Sequence, residues 1–158
     1  MIEILKMIAI TFIPTLELRA SIPYGIFGTD SHWFMVFIVC VIANFIIGIM
    51  IFIFLEWIIK IICFFKPIET LWNKYIERTQ KRISEGVEKY GEWAVVVFIG
   101  IPLPGSGVYT GALASFLIGL SFKKFIVANI IGVLIAGILV TIICLTGSGL
   151  ANIFIKQI

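Results

Sequence analysis

From Trp33 to Leu55 the chain carries no charged side chain, and from Phe125 to Thr146 it again carries none. Runs of that length supply the ~20 apolar residues that a helix needs to cross a hydrocarbon core of about 30 Å. They can be buried in lipid or in the centre of a large protein. Composition removes the second choice: a chain of 158 residues that is 61% hydrophobic and 13% charged, with a mean hydropathy of +1.15, lacks the polar surface to wrap them. The fold class is therefore all-α integral membrane, with transmembrane helices at about 33–55 and 125–146.

The other apolar pieces are short and broken. Residues 2–13 rise only part-way through a bilayer before Pro14, and Pro23-Tyr24-Gly25 is followed by a turn at Gly28-Thr29-Asp30. Residues 93–101 run into Pro102 and Pro104 with Gly105, Gly107 and Gly111, and Ala112 to Leu120 is again a short apolar piece. Proline and glycine at this density end a helix. Irregular backbone at membrane depth is tolerated only where protein or a water-filled cavity satisfies it, so the economical solution is a re-entrant helical hairpin at about 2–28 and another at about 91–120. Gly107 and Gly111 also fit a small-residue helix-packing motif.

Glu17 and Arg19 stand inside the first of these pieces. An ionisable group at that depth costs about 2.5–3.5 kcal/mol and faces a partner or a wet cavity. Two residues apart, the pair diverges on a regular helix, whereas a non-helical segment between Pro14 and Pro23 lets both converge. Burial favours the protonated form of Glu17 and Arg19 favours the ionised form, a balance suited to taking and releasing a proton. The guanidinium fork of Arg19 suits phosphate or carboxylate. The candidate site is Glu17, Arg19, Ser21 and Pro23 from the first break, with Pro102, Pro104, Gly105, Ser106, Gly107 and Tyr109 from the second; Asn44 and Asn129 are supporting polar groups within the long helices. The competing reading of the acid and base is a structural salt bridge.

Residues 66–90 differ in kind. Lys66, Lys74, Arg78, Lys81, Arg82 and Lys89 alternate with Glu69, Glu77, Glu85 and Glu88, and Ile68, Trp72, Tyr75, Ile76, Ile83 and Val87 form an apolar stripe. This is the pattern of an amphipathic connecting helix on the membrane surface. Glu56, Trp57 and Lys60 read as interfacial anchors. Gly147-Ser148-Gly149 is expected to end the last helix, leaving a tail at 150–158. The N-terminus lacks a small-residue cleavage site and is expected to stay. Cys40, Cys63 and Cys144 are widely spaced and His32 is the sole histidine, so neither a metal nor a cofactor is expected. No Ser-His-Asp set or activated cysteine points to an enzyme, and nothing points to nucleic acid.

Shifting the chain by 85 residues aligns Leu18 with Leu103, Ser21 with Ser106, Tyr24 with Tyr109, Ala43 with Ala128 and Asn44 with Asn129. Together with the repeated order of hairpin and long helix, this points to an internal duplication: repeat 1 at 1–65, the connector at 66–90 and repeat 2 at 91–149. One crossing per unit gives the copies opposite orientation. The basic residues of the connector with Lys60, Lys123 and Lys124 then share one face, which the positive-inside rule places in the cytoplasm, with the termini outside. Inverted repeats whose broken segments meet near the midplane are a common build for secondary transporters.

The Glu-Leu-Arg-Ala-Ser-Ile-Pro stretch at 17–23 and Pro-Leu-Pro-Gly-Ser-Gly-Val-Tyr-Thr-Gly at 102–111 resemble the putative small multidrug export protein family, which is similar in turn to the DedA/VTT superfamily of membrane transporters. The resemblance covers nearly the whole chain. It implies two re-entrant hairpins in inverted repeat, with Glu17 and Arg19 as the embedded acid and base and Pro102, Pro104 and Gly105 at the second tip. It departs after the second hairpin, where Lys123 and Lys124 stand in place of an arginine-rich pattern. The implied function is a small secondary transporter or lipid translocase, proton-coupled, moving an anionic or amphipathic substrate such as a lipid phosphate, in a multi-pass cell-membrane protein working as a homodimer. A non-transporting accessory or assembly subunit is the alternative.

Overall fold

The computed structural model describes residues 2–62, 91–101 and 106–155. The connector expected at 66–90 and the tip residues Pro102, Pro104 and Gly105 lie outside the described residues, as do the side chains of the anchors Glu56 and Lys60. The described residues form helices α1 (Ile2–Thr11), α2 (Glu17–Gly28), α3 (Trp33–Ile62), α4 (Gly91–Gly100), α5 (Val108–Leu117) and α6 (Phe122–Ile155), with no strand among them.

Two helices carry stretches long and apolar enough to cross a membrane, Trp33–Leu55 in α3 and Phe122–Gly147 in α6. Each has a buried stripe and an equally apolar exposed one: Ile38, Ile42, Ile46 and Met50 face outward on α3, and Ile130, Leu134, Ile138 and Ile142 on α6. A helix apolar all round needs apolar surroundings on its outer side as well as its inner. α6 runs on to Ile155, through the Gly147-Ser148-Gly149 stretch expected to stop it. Each glycine lowers helix propensity by about 1 kcal/mol without removing a backbone donor, and no proline follows to force an end.

α3 is the central element, packing against α1, α2, α5 and α6. It pairs antiparallel with α6. Phe52 stacks on Phe125 with ring centroids 4.5 Å apart, the Asn129 amide donates to the Phe45 carbonyl at 3.1 Å, and Gly137 faces Val41 and Phe37. Small residues permit this approach, since a Cβ on Gly48 would run into the Asn129 amide and Val108. α1 and α2 form an antiparallel hairpin in which Gly25 sits against Met7 and Ser21 opposite Thr11.

The chain thus runs twice through short helix, short helix, long helix. The starts of the second and third elements are offset by 91 residues (Glu17 to Val108) and 89 residues (Trp33 to Phe122), not by 85. The identities at 85 therefore do not mark counterparts in the hairpins: Ser21 and Tyr24 lie inside α2, whereas Ser106 precedes α5 and Tyr109 is in its first turn. Asn44 and Asn129 both fall on buried faces, but a helical stripe returns every turn and accommodates a slip of four residues.

A prediction follows from the α3–α6 contact. Gly48→Ala overpacks the interface and lowers stability by about 1–3 kcal/mol, whereas Gly147→Ala, with nothing within 4 Å of the added Cβ, leaves stability unchanged or slightly raised. Thermal unfolding of the two purified variants in detergent measures the contrast.

Candidate functional site

The first break spans Phe12 to Leu16. Short backbone bonds tighten it, from the Ile13 amide to the Ile10 carbonyl and from the Leu16 and Glu17 amides to the Ile13 carbonyl. Glu17 opens α2 with φ of +49°, the one non-glycine residue with positive φ among those described. That region costs an L-residue roughly 1–2 kcal/mol. The residues from Glu17 to Pro23 are helical, so the irregular segment expected around the charges lies N-terminal to them. Pro23 sits inside α2, to which it contributes no N–H.

The second break lies between α4 and α5. Gly107 precedes α5 with φ of +137° and no capping side chain, which leaves the first amides of α5 open. Glu17 fills that place from 91 residues away. The Val108 amide donates to both carboxylate oxygens at 3.1 and 3.2 Å and the Tyr109 amide to Oε1 at 3.4 Å, with the Asn44 side chain close by. A Cβ at position 107 would collide with the carboxylate, so glycine is required both for φ and for space. Glu17 is 4% exposed.

Arg19, two residues further on, reaches the other side of the same break. Its Nη2 lies 2.9 Å from the Ser106 hydroxyl and 3.4 Å from the Ile101 carbonyl, and the Ser106 hydroxyl donates to that carbonyl at 2.6 Å. The favour is returned by Tyr109, whose hydroxyl donates to the Phe12 carbonyl at 2.6 Å. Each break is closed by groups from the other. The acid sits at a helix N-terminus and the base beside carbonyls following a helix C-terminus, both favourable to the backbone dipoles.

Glu17, Arg19, Ser106, Gly107, Tyr109 and Asn44 thus come together. Ser21 does not: it is fully buried and bonds within the first hairpin, where the Thr11 hydroxyl lies 2.7 Å from it and 2.8 Å from the Met7 carbonyl, with Cys40 against the same pair. Asn129 belongs to the α3–α6 contact. Pro23 forms the interior of α2. Sequence reading missed the amides of Val108 and Tyr109 and the carbonyls of Phe12 and Ile101, because backbone groups leave no compositional trace. The one signal was the glycine at 107, which marks where a chain approaches closely.

The junction can hold an oxyanion, through amides and a guanidinium, and can bind a proton on its carboxylate. Two buried acceptors near it, Asn44 Oδ1 and Asn129 Oδ1, have no donor. Among the described residues there is no group of three His, Cys, Asp or Glu placed to hold a metal ion.

Residues 17–139 match the model of a family described as putative small multi-drug export protein, a stretch that begins directly after the first break and contains Glu17, Arg19, the second break and most of both long helices. No curated protein and no solved structure matches the chain.

The junction makes its own prediction. Gly107→Ala strains the backbone and displaces the carboxylate, costing about 2–4 kcal/mol. Tyr109→Phe removes one hydrogen bond and costs about 1 kcal/mol. In thermal unfolding the first variant falls well below the second, which stays close to wild type.

Proposed function

This chain belongs to the putative small multi-drug export protein family, which makes it a membrane exporter, and from that premise we propose that it is a DedA-like small secondary transporter or lipid translocase whose substrate passes the junction of its two breaks. The observation that carries the reading is an acid and a base in an apolar fold, Glu17 and Arg19, bonded to either side of an interruption between two helices. Arg19 recognises an anionic or amphipathic substrate, a lipid phosphate being one that fits a guanidinium fork. Glu17 carries the coupling proton. The hairpins α1–α2 and α4–α5 enter as re-entrant loops from opposite faces, in an inverted repeat, with the connector cytoplasmic and the termini outside. Two copies form a homodimer, because one chain of this size offers a thin wall around a path.

A second reading is favoured by one observation: both charges are already bonded to backbone groups that need them. In that reading Glu17 and Arg19 only lock the fold of a non-transporting accessory or assembly subunit.

Reconstitution separates the two. In liposomes holding a pH gradient, wild-type protein moves a fluorescent anionic phospholipid or a small organic anion. Arg19→Ala lowers the rate at least tenfold, and Glu17→Gln abolishes its dependence on the gradient. A wild type that moves none of these, with variants that merely unfold at lower temperature, favours the lock.

A further inference from the structure

The geometry points to a second binding site on this chain, a pocket between α3 and α6 that takes a neutral aromatic alcohol from the bilayer. The site shares no residue with the junction and goes beyond the reading above, so the two stand or fall apart. Three observations carry it.

The first is the pocket itself. Beyond the point where Gly137 meets Phe37, the first turns of α3 and the later turns of α6 leave between them a cavity of about 430 Å³. That volume lies within the roughly 300–1,000 Å³ usual for small-molecule sites. Trp33, Phe34 and Phe37 line it from α3, and Leu134, Ile138 and Thr141 from α6. Trp33 and Phe34 stand edge to face with ring centroids 5.7 Å apart. An aromatic guest gains from such rings beyond the area it buries. No ionisable side chain lines the pocket, so a charged guest loses its hydration there without return.

The second is Thr141, which is 5% exposed and whose hydroxyl has no hydrogen-bond partner. A hydroxyl inside a helix commonly turns back to the carbonyl one turn earlier. Thr11, Ser115 and Thr146 do so in this chain, onto the carbonyls of Met7, Gly111 and Ile142 at 2.8, 2.7 and 2.7 Å. Thr141 makes no such bond to Gly137, and it carries the one hydroxyl among the residues that line the pocket. A buried hydroxyl left unmet is costly. Threonine populates two rotamers on a helix, so its hydroxyl and methyl can exchange places in response to a guest.

The third is what the other possible occupants lack. Trp33, Phe34, Ile138 and Ile142 are exposed, so the pocket opens toward lipid. An acyl chain fills the volume but brings no partner for a hydroxyl. The outward faces of α3 and α6 bring none either, being isoleucine, leucine and methionine, which counts against a second copy packed through them. An aromatic alcohol meets the rings and the hydroxyl together. Trp33 follows directly on the polar turn Asp30-Ser31-His32, which sets the mouth of the pocket near the membrane interface, where amphipathic molecules of this kind collect.

The test compares 1-naphthol with naphthalene, which has the same ring system without the hydroxyl. Equilibrium binding is measured to the full chain in phosphatidylcholine nanodiscs, with empty discs as the blank and each affinity referred to the probe dissolved in the lipid. Wild type binds 1-naphthol saturably and about fivefold tighter than naphthalene. Thr141→Val keeps the shape without the hydroxyl: it unfolds at the same temperature or higher, binds naphthalene as wild type does and loses the fivefold preference. Thr141→Ser retains the preference, and Thr141→Ala replaces the valine variant should that fail to fold. Ile138→Trp, at an exposed position, fills the pocket and abolishes binding of both probes. Uptake no greater than the blank, a preference that survives Thr141→Val, or normal binding by Ile138→Trp overturns the inference. So does an Ile138→Trp that turns a dimer into a monomer in detergent-corrected mass measurement, since the pocket is then an interface between copies. None of these results bears on the liposome assay of Glu17 and Arg19.

Discussion

A helix that stops inside an apolar slab leaves N–H and C=O groups that water cannot reach, and a buried polar group without a partner costs about 1–3 kcal/mol. This chain interrupts two short helices among apolar neighbours and answers with crosswise pairing. The open amides of α5 take the Glu17 carboxylate, the Phe12 carbonyl takes the Tyr109 hydroxyl, and the Ile101 carbonyl takes Ser106 and Arg19. Each hairpin thus takes part of the bonding at its break from the other. The family match begins at Glu17, the residue that reaches from the first hairpin to the second, and runs on through the second break.

Charged side chains are the effective means of doing this. Hydrogen bonds to charged groups contribute about 1.5–3 kcal/mol, against about 1 for a neutral pair, and a single carboxylate answers two amides at once. The price is desolvation of Glu17 and Arg19, which the facing backbone dipoles and the nearness of each charge to the other offset only in part. α3 supplies the frame. It touches α1, α2, α5 and α6, presents Asn44 to the carboxylate, and brings Gly48 beneath Val108 and Asn129, so the break in one hairpin is registered on the same helix that carries the other.

Much of this was legible. The two long helices were written in uninterrupted apolar runs, and the acid and base stood out because charge inside such sequence has few explanations. Gly107 announced a close approach of chains. What misled was proline. Pro23 was taken to hold the charged stretch out of a helix, yet a membrane helix absorbs one missing donor when its neighbours are already fixed, and α2 is fixed from both sides by Met7 against Gly25 and by packing on α3 and α6. Ser21 was assigned to the junction from its position beside Arg19 in the sequence. On a helix the two point apart, and Ser21 turns instead to Thr11. The identities at an offset of 85 come from a restricted alphabet, and the starts of the helices differ instead by 89 and 91 residues.

The two kinds of contact in this fold differ in what can undo them. The α3–α6 seam is held by close packing, through Phe52 on Phe125, Gly137 beneath Val41 and the fit around Gly48, and close-packed apolar contact does not respond to a proton. The junction is held by a handful of polar bonds, three of them to the Glu17 carboxylate. Neutralising that carboxylate weakens its bonds to the α5 amides, while every contact of the seam persists. A change of charge at Glu17 therefore loosens the meeting of the two breaks without loosening the scaffold that carries them. Placing the chain's embedded acid at the one point where both hairpins depend on it confines the effect of a proton to that point.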